Sequence, residues 1–116
     1  MTKDFTGEVT FEALGKTWTL KMGTKAMRKI EVVTEKPMPV VGKMLTSEET
    51  ASIDLMTKVF WGGLITHHPD VTVDDCDDIM DAVGHTRAGQ LIGEAFEAAQ
   101  APQSGGAERP RKATAG

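Results

Sequence analysis

Two alternating runs joined at a single glycine constrain this chain more than any other feature of its sequence. Val9, Phe11 and Ala13 alternate with Thr10 and Glu12, and Trp18, Leu20 and Met22 alternate with Thr17, Thr19 and Lys21. This is the period-two pattern of half-buried strands. Leu14-Gly15-Lys16 lies between the runs, and Gly15 can take the positive φ that a tight turn demands. The pattern predicts an antiparallel β-hairpin over residues 7–22. A lone hairpin is marginal in water, so the apolar face made by Val9, Phe11, Trp18 and Leu20 must lie on helices or on another chain's strand.

Helical spacing takes over after Gly23. Thr24 is a candidate N-cap for a helix over 25–35 carrying Met27, Ile30 and Val33 or Thr34 at helical spacing. Glu35-Lys36-Pro37-Met38-Pro39 reads as its stop, because a residue before proline avoids the α region, and 36–46 reads as an apolar loop. Thr46-Ser47-Glu48-Glu49 has the form of a capping box. It predicts a helix over 47–66 with Leu55, Met56, Val59, Phe60 and Leu64 on one face, the central helix of the core. Gly62-Gly63 within it points to close approach of another backbone. Val73, Cys76, Ile79, Met80 and Val83 mark a helix over 73–83 with Gly84 as C′, and Ala88, Leu91, Ile92, Ala95 and Phe96 mark a last helix over 86–100.

The fold class is therefore α+β: an N-terminal antiparallel hairpin packed on about four helices in one domain, 1–100. With 116 residues there is room for one core and not two. Residues 101–116 lack any large apolar side chain. They read as a disordered tail, weakly basic through Arg109, Arg111 and Lys112.

Charge and cysteine usage narrow the function classes. The net charge of −4 argues against nucleic acid as a ligand, since phosphate recognition needs a concentrated positive field. The acids cluster: residues 67–100 hold eight against the single base Arg87. Cys76 is alone, which fits a reducing cytoplasm. No apolar signal core follows Met1, and the apolar stretch from Val59 to Ile65 is far too short to cross a bilayer, so no membrane role is expected.

Reactive chemistry is hard to assemble from these residues. His67, His68, Asp70, Cys76 and His85 have no recognised zinc spacing, and His67 and His68 read better as groups at a helix C-terminus, bonded to free carbonyls. Asp74-Asp75-Cys76-Asp77-Asp78 lacks the alternating ligands, glycine and terminal glutamate of a calcium loop and reads as helix N-terminal acids grading into a solvated face. Cys76 reads as a small buried hydrophobe. Phosphate-loop, dinucleotide and serine-elbow motifs are absent. The expectation is a protein with no catalytic residues, no metal and no cofactor.

Several segments carry a family likeness. Gly7-Glu8-Val9 opens the hairpin, Leu20 to Glu31 carries strand into helix, Phe60-Trp61-Gly62-Gly63-Leu64 closes the long helix, Val71-Thr72-Val73-Asp74 opens the next, and Phe96 lies in the last. In this order, over residues 7–99, the chain resembles the tail assembly chaperones of long-tailed phages and gene-transfer agents. Pro37, Pro39 and His67-His68 depart from that family's pattern. The resemblance implies a protein of the host cytoplasm, often oligomeric, that keeps the helical tape measure protein soluble and presents it to the tail tube protein. It also implies that short and frameshift-extended forms are made.

A chaperone for a helical client needs an adaptable apolar surface, and flexible methionines supply one. Met22, Met27, Met38, Val40, Val41 and Met44 are the candidate partner-binding residues. The hairpin edges are candidates for pairing between copies. Two other readings use the same sequence: a structural tail component such as a terminator or connector, and a metal-dependent or regulatory module built on His67, His68 and Cys76.

Overall fold

The computed structural model describes residues 8–100; Gly7 and the expected tail over 101–116 lie outside the described residues. Strands β1 (Glu8–Ala13) and β2 (Lys16–Lys21) form the antiparallel hairpin, with Val9 opposite Leu20, Phe11 opposite Trp18 and Ala13 opposite Lys16. The two-residue turn places Leu14 at φ 55° and Gly15 at φ 75°. Positive φ at both turn positions matches the right-handed twist of the strands. The Trp18 Nε1–H donates to the Ala13 carbonyl at 2.9 Å, tying the indole across the turn. Phe11, Ala13, Trp18 and Leu20 are buried, while Thr10, Glu12 and Thr17 face outward.

Among the described residues five helices follow: α1 (Thr24–Thr34), α2 (Met38–Thr46), α3 (Ile53–Leu64), α4 (Val73–Val83) and α5 (His85–Gln100). Their boundaries correct three sequence expectations. Gly23, not Thr24, is the N-cap of α1. The segment read as a loop over 36–46 is largely the helix α2. Its prolines start the helix instead of preventing it, with Pro37 at the N-cap and Pro39 in the first turn, where the missing N–H would have had no helical acceptor. The Glu31 carboxylate accepts from the Met38 N–H at 2.9 Å and completes that start.

The third correction concerns Thr46-Ser47-Glu48-Glu49, which caps no helix. Thr46 ends α2, Thr50 Oγ1 donates to the Met44 carbonyl at 2.8 Å, and α3 begins only at Ile53, where the Ser52 side chain accepts from the Leu55 N–H at 3.0 Å. The expected capping box appears before α4 instead. There Thr72 Oγ1 accepts from the Asp75 N–H at 2.9 Å and the Asp75 carboxylate accepts from the Thr72 N–H at 3.0 Å.

Helix α3 is the hub. It packs against α1, α4, α5 and β2, and Leu55, Val59, Phe60 and Leu64 are buried. The glycine pair explains how the layers come so close. A Cβ at Gly63 would stand 2.8 Å from Leu20 Cδ2 and 3.0 Å from Met22 Cε, and one at Gly62 would run into Ile30 of α1. Phe11 and Phe60 meet with ring centroids 5.5 Å apart, a tilted pair that locks hairpin to hub. Among the described residues no helix is long and apolar enough to cross a membrane.

Candidate functional site: an apolar groove between α2 and α5

Helix α2 rests chiefly on α1 and leaves a groove of ≈ 610 Å³ between itself and α5. Met38, Pro39, Gly42 and Leu45 form the α2 wall, and Gly89, Ile92, Gly93 and Phe96 form the α5 wall. Met27 of α1 and Met56 of α3 complete the lining. Among the described residues no charged residue lines the groove, and the one polar side chain there is Thr46, whose hydroxyl already donates to the Lys43 carbonyl at 3.0 Å. Small-molecule sites of this size use a few placed polar groups to orient the ligand. This groove has none to spare, so it suits a nonpolar surface more than a functionalised small molecule.

Glycine keeps the groove open. A Cβ at Gly42, Gly89 or Gly93 would meet nothing within 4 Å, unlike one at Gly62 or Gly63. In helices such glycines cost about 1 kcal/mol each relative to alanine, and their effect here is two walls low enough for a helix backbone to approach. Three methionines around it can change rotamer at little cost to fit different side chains.

The structure divides the candidate partner-binding residues. Met27 and Met38 line the groove. Met44 is half-buried beside the core, and Val40 is 41% exposed on α2 outside the groove. Met22 and Val41 are fully buried in the core, Met22 under Gly63, and so offer nothing to a partner in this conformation. The contribution of α5 was missed by sequence reasoning. Its signal was present in Gly89 and Gly93, spaced four apart on one helix face, beside Ile92 and Phe96.

A second, polar hollow of ≈ 360 Å³ lies at the far end of α3, lined by residues that include Lys16, Trp18, His67, His68, Asp70 and Asp75. The His67 and His68 backbone N–H groups bond to the Leu64 carbonyl at 3.2 and 2.8 Å. Their rings do not return to the helix end as expected; both reach the hairpin. His67 Nε2 lies 2.8 Å from Glu8 Oε2, and His68 Nε2 accepts from the Thr19 N–H at 3.1 Å. The His68 ring sits against Trp18 with centroids 4.8 Å apart. Burial, reinforced by the positive charges of His67 and Lys16, holds His68 below the ordinary histidine range, which favours the neutral ring that this acceptor role requires.

Among the described residues nothing reactive converges elsewhere. Cys76 is fully buried, and burial, with Asp75 and Asp77 beside it, pushes its thiol up to about 12, so the thiolate is suppressed. Asp74, Asp77, Asp78 and Asp81 are exposed along α4. Among the described residues no three His, Cys, Asp or Glu side chains are grouped to hold a metal ion. Comparison with protein-family models, with curated proteins and with solved structures found no match to this chain.

Proposed function

We propose that this chain is a tail assembly chaperone of a phage or gene-transfer agent, a binding protein without catalytic activity. It holds an apolar helix face of the tape measure protein in the groove between α2 and α5, in the bacterial cytoplasm, until the tail tube protein assembles. The observation that carries this reading is the groove itself: apolar but for Thr46, lined by methionines and with glycines in both walls. A client helix docks with side chains at i, i+3, i+4 and i+7, and each large apolar anchor it buries contributes about 1.5–3 kcal/mol. The light support of α2 favours the reading further, since a wall with few partners opens at low cost to admit helices of different bulk.

The test is co-expression with the tape measure protein of the same particle, using wild type and Gly93→Leu. The leucine side chain enters open space and raises helix propensity, so the variant keeps its fold and loses the groove. Soluble tape measure protein co-purifying with wild type and lost with Gly93→Leu is the expected result. Equal client solubility with and without this chain ends the proposal. Stoichiometric recovery of the chain in purified particles would assign it to the tail structure instead.

A further inference from the structure

Among the described residues the hairpin is a two-stranded sheet, and an open strand edge is a template for another strand. Across the Ala13–Lys16 pair that closes the turn, alternation sends the N–H groups of Thr17, Thr19 and Lys21 away from β1. Thr19 is the middle one of the three, and its N–H is taken by His68 Nε2 at 3.1 Å. The turn bearing His68 is held at two other points off this edge, by His67 on Glu8 of β1 at 2.8 Å and by the Nε1–H of Trp61 in α3 donating to the Val71 carbonyl at 3.0 Å, so His68 makes its one hydrogen bond to β2.

We propose that His68 is a removable stop on the outer edge of β2, and that its release lets a second copy of this chain add there as an antiparallel strand, giving a four-stranded sheet across a homodimer. The sequence of β2 suits self-pairing. A two-fold axis at Thr19 sets Thr19 against Thr19 of the second copy and Thr17 against Lys21, so no like charges face each other and a favourable Thr–Thr pair lies on the axis. All of these positions carry outward N–H and C=O groups, so the register forms hydrogen-bonded pairs. An isologous contact of this kind closes at two copies instead of growing into a fibre. The inference is independent of the groove, which lies on α2 and α5.

The experiment compares wild type, His68→Ala, His68→Gln and His68→Ala/Thr19→Lys by sedimentation velocity over a concentration series at pH 8, with hydrogen exchange at the Thr19 amide. His68→Ala is expected to dimerise as concentration rises, with Thr19 protection lost in dilute solution and regained in the dimer. His68→Gln retains an acceptor and should behave as wild type. In the double variant, lysines opposed across the axis should remove the dimer. A folded His68→Ala that adds no association overturns the proposal, as does a dimer indifferent to Thr19→Lys. Should His68→Ala not fold, wild type decides the matter by its own titration. Imidazolium can only donate, and the groups facing it are Lys16 from β2, His67 with Glu8 of β1 behind it, Asp70 of the same turn and Asp75 of α4. Acid must then release the Thr19 amide and produce an association that Thr19→Lys abolishes; unchanged protection of that amide refutes the stop.

Discussion

Replacing Gly62 with alanine should destabilise the fold, although alanine is the better helix former. The added Cβ meets Ile30 Cγ1 well inside van der Waals contact, lies 3.1 Å from Ile30 Cδ1, and approaches the Ala26 carbonyl oxygen to 3.3 Å. Neither neighbour yields easily. Ile30 is fully buried and β-branched, so its χ1 is restricted, and the crowded atom is near the root of the side chain. The Ala26 oxygen belongs to the backbone of α1. Overpacking costs about 1–3 kcal/mol, and these constraints place this site near the upper figure. Helix propensity returns about 1 kcal/mol, leaving a net loss of about 2 kcal/mol. For a domain of this size that lowers the melting temperature by roughly 10 °C.

Urea denaturation followed by circular dichroism measures the difference, and Ile30→Ala supplies a double-mutant cycle. Truncating Ile30 alone costs about 2–5 kcal/mol. In that background Gly62→Ala enters vacated space and should be neutral or stabilising, so the two substitutions couple by at least about 2 kcal/mol. Gly93→Ala is the control of opposite sign: its Cβ meets nothing within 4 Å, and stability should rise by up to about 1 kcal/mol. A Gly62→Ala protein as stable as wild type would show that α1 and α3 are not in the contact described, and the account of the hub would fail.

Other substitutions test other parts of the molecule. Thr72→Ala removes one half of the α4 capping box and should cost about 0.5–2 kcal/mol in urea titration, whereas Thr46→Ala, in the segment that only resembles such a box, should cost less. The folded state holds His68 below its unfolded value, so its contribution to stability is complete above about pH 6.5 and declines as pH falls through the folded pKa. Wild type should lose melting temperature toward acid more steeply than His68→Gln, and parallel profiles would refute the assignment. Cys76 should resist a thiol reagent at pH 8 in the native protein and react at the rate of global unfolding in denaturant; immediate labelling would contradict its burial.

The legibility of this chain follows the range of the interactions concerned. The hairpin could be read because alternation, Gly15 and strand-forming residues act within sixteen positions of one another. The bounds of helix α4 were legible from its apolar stripe and from Gly84, although the Thr72–Asp75 capping box at its start was not read. The glycine pair at 62–63 announced a close approach without saying to what; Ile30 and Leu20 are brought there only by the fold.

Where reading failed, two outcomes were locally allowed and packing chose between them. Pro37 and Pro39 can end one helix or begin the next, and burial of Val41 with the Glu31 contact to Met38 selects the second. Thr46 and Ser52 both offer an N-cap oxygen, and the turn that Thr50 makes onto Met44 hands the role to Ser52. His67 and His68 were placed at the right helix end, but their ring partners, Glu8 and Thr19, lie on strands some fifty residues earlier.

The groove is the extreme case. The sequence determined which residues are apolar and where the helices run, because those depend on period and on neighbours in the chain. Whether Met27, Met38 and Met56 would fill a core or line an open cleft was decided by how far α2 stands from α5, and that separation is a balance of contacts made by the whole fold.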